Sequence, residues 1–290
     1  MTHNCHISYT TVVLQKYDKL KSSLLLAIAA AGGAAFSGTA VAAEANCSLE
    51  NGYSIDLASY VEEASSCIDA ADNIERSVAD GLMAEINADR VANGLAPLNR
   101  RASLDKAAMA HALDMSVRIY ADHIDLEGRD HLHRIRAFDR TMLVGGSGAN
   151  VTVSLANADA KAVHENVKMD AFNVDNMMRA SFTDIGIGVV EEAGQYYVVQ
   201  VFAAAEGDLN EAVPISVAGT APLKAKLSSG DQRMVAWGLV DTNSGEMLAR
   251  SSMPRIRYSA LDGADAAINV LVGLHNSTYV LKGPLVTGRN

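Results

Sequence analysis

The feature that most restricts how this chain can fold is a change of hydrophobic period. Val78, Leu82 and Ile86, with Arg90 and Val91 one turn on, recur at helical spacing, and Leu104, Ala107, Ala108, His111, Ala112 and Met115 do so again. Further along, the apolar residues crowd into two runs, "IGIGVVEE" and "QYYVVQVFAA", parted by Ala193-Gly194. The first spacing belongs to amphipathic helices and the second to a β-hairpin. A chain that switches period in this way lays helices against a sheet, which predicts an α+β fold, layered αβα, over residues 76–206. Gly94 supplies the left-handed residue that closes the first helix, and Ser103 is the expected N-cap of the second. Residues 122–130 have no sustained period and read as a loop. "HLHRIRAFD" starts a third helix with Leu132, Ile135 and Phe138 inward, "GGSG" at 145–148 reads as a flexible turn, and "NADAKAVHENVKM" as a fourth helix.

The flanks have a different character. Lys16, Lys19 and Lys21 precede the apolar run "LLLAIAAAGGAAF", and small residues at 40–43 suit cleavage after Ala42, so residues 1–42 read as an export signal. That run is too short and too rich in Ala and Gly for a stable membrane span. Residues 43–75 form an N-terminal extension, and 207–213, where composition changes, the expected linker. Residues 214–290, with "RMVAWGLVD", "AAINVLVGL" and "STYVLKGPLV", read as a small antiparallel β domain. Trp237 within it reads as core.

Two of the three cysteines, Cys47 and Cys67, follow the signal, and an exported chain meets oxidising surroundings, so they are expected to form a disulfide. Secretion or a periplasmic location is the corresponding expectation. Without residues 1–42 the chain carries 21 Lys+Arg against 33 Asp+Glu, a net charge of −12. Such a surface repels phosphate backbones, and nucleic acid is not an expected partner.

The stretch "ADHIDLEGRDHLHR" places three histidines and several carboxylates close together. His131 and His133 are two apart on a helix and so point to different faces. A cluster of His123 and His131 with one of Asp122, Asp125, Glu127 or Asp130 is the alternative to a polar loop followed by a helix start. His111, on an apolar face, reads as a packed, hydrogen-bonded side chain.

Several of these stretches together resemble the CAP superfamily of cysteine-rich secretory, antigen 5 and pathogenesis-related 1 proteins, in its bacterial SCP-like extracellular branch. "INADRVANGLAPL" is similar to the family's I-N-x-x-R-x-x-x-G-L-x-P-L helix and "LDKAAMAHALDM" to its second helix. "HIDLEGRDHLHRI" carries its loop histidine, and "FTDIGIGVVEEAGQYYVVQVFA" resembles its closing hairpin. The resemblance implies a three-layer αβα sandwich with an open cleft, lined in many members by two histidines and two glutamates that can hold a divalent metal. The loop histidine falls on His123. The G-E-N-I motif falls on Gly148, Ala149 and Asn150, the second glutamate near Ala162, and the second histidine on Asn173. Three of the four ligand positions therefore carry no ligand of the family's kind, and no metal or cofactor is expected. Glu165 lies one turn beyond Ala162, about 4.5 Å along the helix, which misplaces it as a substitute.

The function expected from this is an exported, non-catalytic binding or scaffold module acting on an envelope or extracellular ligand. The alternatives are a hydrolase of peptides or envelope polymers with His123 as general base, and a lipid or sterol binder by analogy with relatives.

Overall fold

The computed structural model describes residues 47–275 and 277–289. The expected signal peptide lies outside them. Among the described residues no helix is long and apolar enough to cross a membrane.

Six α-helices are interleaved with the first two strands, and most start at an aspartate. Helix α1 (Leu57–Ala70) begins at Asp56, whose carboxylate accepts the Ser59 amide at 2.8 Å. Asp130 does the same for α4 (His131–Phe138), Asp159 for α5 (Ala160–Val167) and Asp170 for α6 (Ala171–Met177). These bonds satisfy amides that the first turn leaves unpaired. Helix α2 spans Arg76–Ala92 and is followed by Gly94 at φ +72°. Helix α3 (Ala102–Arg118) begins one residue before Ser103, so Ser103 is not its cap; its hydroxyl instead donates to Asp139. On α2 the helical stripe ends with Arg90 buried, while Val91 faces solvent. The Arg90 guanidinium donates to the carbonyls of Ala96, Met177, Arg179 and Phe182, which accounts for a cation on an apolar face.

The strands are β1 (Asn99–Arg100), β2 (Met142–Leu155), β3 (Asp184–Glu192), β4 (Gln195–Leu209), β5 (Ser216–Val217), β6 (Thr220–Pro222), β7 (Ala225–Leu227), β8 (Gln232–Asp241), β9 (Met247–Ser251), β10 (Arg255–Arg257), β11 (Asp265–Leu274) and β12 (Ser277–Gly288). The main sheet runs β1-β3-β4-β2-β12-β11-β8-β9, while β6 and β10 pair separately. Strands β3 and β4 form the predicted hairpin, with Glu192 opposite Gln195. Alternation along β4 splits the sheet cleanly. Tyr197, Val199, Val201 and Ala203 enter the core under α1, α3 and α4, and Tyr196, Val198, Phe202 and Ala204 enter the core shared with α2, α5 and α6. The result is the expected α+β, three-layer αβα sandwich. Helix α3 lies directly on β3, where a Cβ at Gly186 or Gly188 would overlap the helix backbone at Leu104–Asp105 or Ala108–Met109.

Three sequence readings change. "GGSG" is not a turn but part of β2: the space beside Gly145 is taken by the Glu206 carboxylate and that beside Gly148 by the Asn176 amide, so missing side chains serve close approach rather than bending. Residues 207–209, placed in the linker, continue β4, and Leu209 and Val213 are buried in the core of the C-terminal strands. A further helix, α6, follows the predicted fourth.

The strands expected beyond residue 214 are antiparallel, but they extend the same sheet. Strand β12 meets β2 at Lys282 and Val144, and Ala267 and Leu285 enter the core beneath α1, α3 and α4. Arg136 of α4 and Arg140, just beyond its end, hold this junction. Arg136, buried, donates to the carbonyls of Gly283 (2.5 Å) and Ile268 (2.9 Å) and to Asn269 Oδ1 (3.1 Å), where the β11–β12 register shifts. Arg140 reaches the carbonyls of Val213, Pro214 and Leu285. A bulge leaves carbonyls outside the ladder, and a guanidinium fork satisfies them.

Candidate functional site

The candidate site is assembled where β2 passes between α4 and α6. Successive residues of a strand face opposite sides, so Ser147 turns toward α4 while Gly148 and Asn150 turn toward α6. The expected cleft residues are thereby divided rather than gathered.

On the α6 side the amides interlock. Asn150 Nδ2 donates to the Asn173 carbonyl (3.1 Å) and to Gln200 Oε1 (3.0 Å). Asn176 Nδ2 donates to Asn150 Oδ1 (3.0 Å) and to the Ala149 carbonyl (3.1 Å), and Asn173 Nδ2 donates to the Val167 carbonyl (3.0 Å). Asn150, Asn173 and Gln200 are all buried, and Gln200 Nε2 is left without a partner. Asn150 stands in an N-x-T sequence, but at 1% exposure no glycan can reach it in the folded protein. Ala149, also buried, adds no polar atom. Ala162 is exposed on α5, and nearby Glu165 is exposed and paired with Lys168 at 3.1 Å.

On the α4 side, His131 Nε2 lies 3.1 Å from Ser147 Oγ. Burial lowers the pKa of this ring, which keeps it neutral at physiological pH. A hydroxyl and a neutral imidazole within hydrogen-bond reach are the first two parts of a nucleophile–base arrangement. His133 projects elsewhere, beside the Tyr60 ring at 6.2 Å, and burial pushes it down to about 4.

His123 is exposed, and its carbonyl accepts Arg134 Nη2 at 2.8 Å. The carboxylates of its loop are already engaged. Arg129 Nε binds Asp125 at 2.7 Å and its Nη2 binds Glu127 at 3.0 Å, while Arg118 spans Glu127 and Asp114, each at 2.6 Å. Oxygens of Asp114, Asp125 and Glu127 come within 4.8 Å of one another, as a cation site would require, yet guanidinium groups fill the space between them. The bonds from Glu127, and Asp114 behind them, hold the Arg118 pKa above its ordinary value. The dense histidine and carboxylate stretch is thus a set of ion pairs that fixes the loop. His111 is packed as expected, donating from Nε2 to the Asp122 carbonyl at 2.7 Å, and burial holds it well below the usual histidine range.

Sequence reasoning missed the pairing of Ser147 with His131, because Ser147 was assigned to a turn. It also missed Asn176 and Gln200. The i, i+3 spacing of Asn173 and Asn176 on one helix face was the available signal.

A mainly antiparallel sheet flanked by helices on both faces, with a polar seam beside β2, defines the class as an αβα sandwich. Residues 83–202 match the sequence model of the cysteine-rich secretory protein family, CAP. Comparison with curated proteins gives no match. Among solved structures, the chain is similar to an outer surface protein from Borrelia burgdorferi, at 16% identity and a TM-score of 0.40, covering 44% of this chain and 93% of that one. It is also similar to an extracellular protein containing a SCP domain from Bacillus anthracis, at 19% identity and a TM-score of 0.39, covering 48% of this chain and 43% of that one.

Proposed function

We propose that this protein is an exported, non-catalytic CAP module that binds a partner in the cell envelope or extracellular space. The observation that carries the reading is the interlocked amide cluster of Asn150, Asn173, Asn176 and Gln200. It fills one side of the candidate cleft with side chains that hydrogen-bond to one another and to backbone, and one of them, Asn173, stands where the family resemblance would place the second histidine. Ala149 and Ala162 add neither a base nor a metal ligand. The bond between Cys47 and Cys67, 20 residues apart, supports export, since such bonds persist in oxidising compartments.

The test uses the purified protein, assayed for bound transition metal by elemental analysis and for turnover of peptide and ester substrates. Metal-free protein without turnover, together with a ligand captured from envelope extracts, is the expected result. Stoichiometric zinc, or turnover abolished by His123→Ala, overturns the reading.

A hydrolytic second reading rests on the 3.1 Å approach of His131 Nε2 to Ser147 Oγ. Covalent labelling of Ser147 by a fluorophosphonate, lost in His131→Ala, would establish it in place of the first.

A further inference from the structure

The charge of the chain is unevenly divided. Residues 214–290 carry eight Lys+Arg against five Asp+Glu, a net of +3 in a chain whose total is −10. Part of that excess is concentrated. A cavity of about 430 Å³ on the C-terminal strands is lined by Arg250, Arg255 and Arg257, with Thr220, Ser251 and Trp237 among the remaining residues and no acidic side chain. Arg255 and Arg257 flank Ile256, which is fully buried, so the strand period turns both arginines to the same outward face, about 6.6 Å apart along β10. Thr220 sits opposite Arg257 in the β6–β10 pair. Arg250 arrives from β9, next to Ser251, which pairs with Trp237. Seven arginines elsewhere in the described residues are committed: Arg90, Arg101, Arg118, Arg129, Arg134, Arg136 and Arg140 all bind carboxylates or carbonyls. Among the described residues, the side chains of Arg250, Arg255 and Arg257 form no ion pair and no hydrogen bond. Like charges brought together without counter-ions cost energy, and a ligand of opposite charge relieves that cost.

The geometry points to a binding site for a phosphate-bearing ligand, gripped by Arg250, Arg255 and Arg257 at the mouth of this cavity. Guanidinium groups present planar forks that match phosphate oxygens in pairs, and three of them suit a multiply charged oxyanion better than a single carboxylate. The hydroxyls of Thr220 and Ser251 add neutral donors. The site is separate from the candidate cleft and independent of whether that cleft is catalytic.

Trp237 lines the cavity and is the chain's single tryptophan, so its fluorescence reports on this site. Tripolyphosphate, titrated into the full-length protein while fluorescence and calorimetric heat are followed, is expected to bind saturably and more weakly as salt is raised. Arg255→Ala/Arg257→Ala is expected to weaken binding at least tenfold, and Arg250→Gln alone to weaken it several-fold, with thermal midpoints unchanged because all three side chains are exposed. Co-sedimentation with phosphatidylglycerol vesicles identifies the source of the phosphate. Binding to vesicles as well as to tripolyphosphate marks a lipid headgroup, and binding to tripolyphosphate alone marks a soluble or polymer-borne phosphate. Absence of binding to either probe, or equal binding by folded wild type and double variant, overturns the proposal.

Discussion

Replacing Arg136 by methionine removes the guanidinium from the junction between α4 and the C-terminal strands while keeping a long, flexible, apolar side chain. Three hydrogen bonds disappear, and the carbonyls of Gly283 and Ile268 lose the donors that reach them beside the register shift of β11. A buried acceptor without a partner costs about 1–3 kcal/mol, so the two carbonyls together cost about 2–6 kcal/mol. Against this stands relief of a desolvated cation, since burial pushes the Arg136 guanidinium down to about 10, and exchanging a buried charge for an apolar group recovers part of the loss. The net expectation is a destabilisation of about 2–4 kcal/mol, or a fall in Tm of roughly 5–15 °C for a protein of this size. Arg136→Lys retains the charge but not the fork and is expected to fall between wild type and Arg136→Met. The assay is calorimetric unfolding, paired with hydrogen exchange at the β11 and β12 amides, which are expected to open selectively in Arg136→Met. A variant melting within a degree of wild type, with unchanged exchange along β11, would refute the argument that this guanidinium secures the junction.

Two further outcomes follow from the same structure. Gly188→Ala places a methyl group against the α3 backbone at Ala108–Met109 and is expected to destabilise the protein by about 3 kcal/mol or prevent its folding, measured by urea unfolding; a loss below about 1 kcal/mol would mean that the helix can back away from β3. His111 and His133 are held below their unfolded values by burial, so the unfolded chain binds more protons once the pH drops under about 6.5; stability is therefore expected to be full above that pH and to decline toward pH 4 by up to about 1.4 kcal/mol per pH unit per ring, and His111→Gln should flatten the profile.

The layered fold was legible because period and turn chemistry are local. The stripe of Leu82 and Ile86, Gly94 after α2 and the Ala193-Gly194 hairpin each declare themselves within a few residues. Strand β2 was not legible, since three glycines around Ser147 carry no pattern of their own and the groups that take their place, Glu206 and Asn176, are distant in sequence. That single misreading had consequences for the site: without β2 there is no alternation to turn Ser147 toward His131 and Asn150 toward Asn173. The extension of the sheet by the C-terminal strands was hidden for another reason. Arg136 and Arg140, spaced as i and i+4 in "HRIRAFDR", look like the solvated side of a helix, and only tertiary structure brings carbonyls to them. The histidine-rich loop was legible in composition but not in outcome, because its carboxylates are claimed by arginines from α3 and from the loop itself.

The arginine fork at the end of α4 recognises main-chain oxygen, which every amino acid supplies. What it demands of the polypeptide that follows the sandwich is a shape, an irregular strand offering its carbonyls at one spot, and not a particular set of side chains. Mutational drift along the outer strands can therefore proceed widely without unfastening them, whereas drift at position 136 cannot.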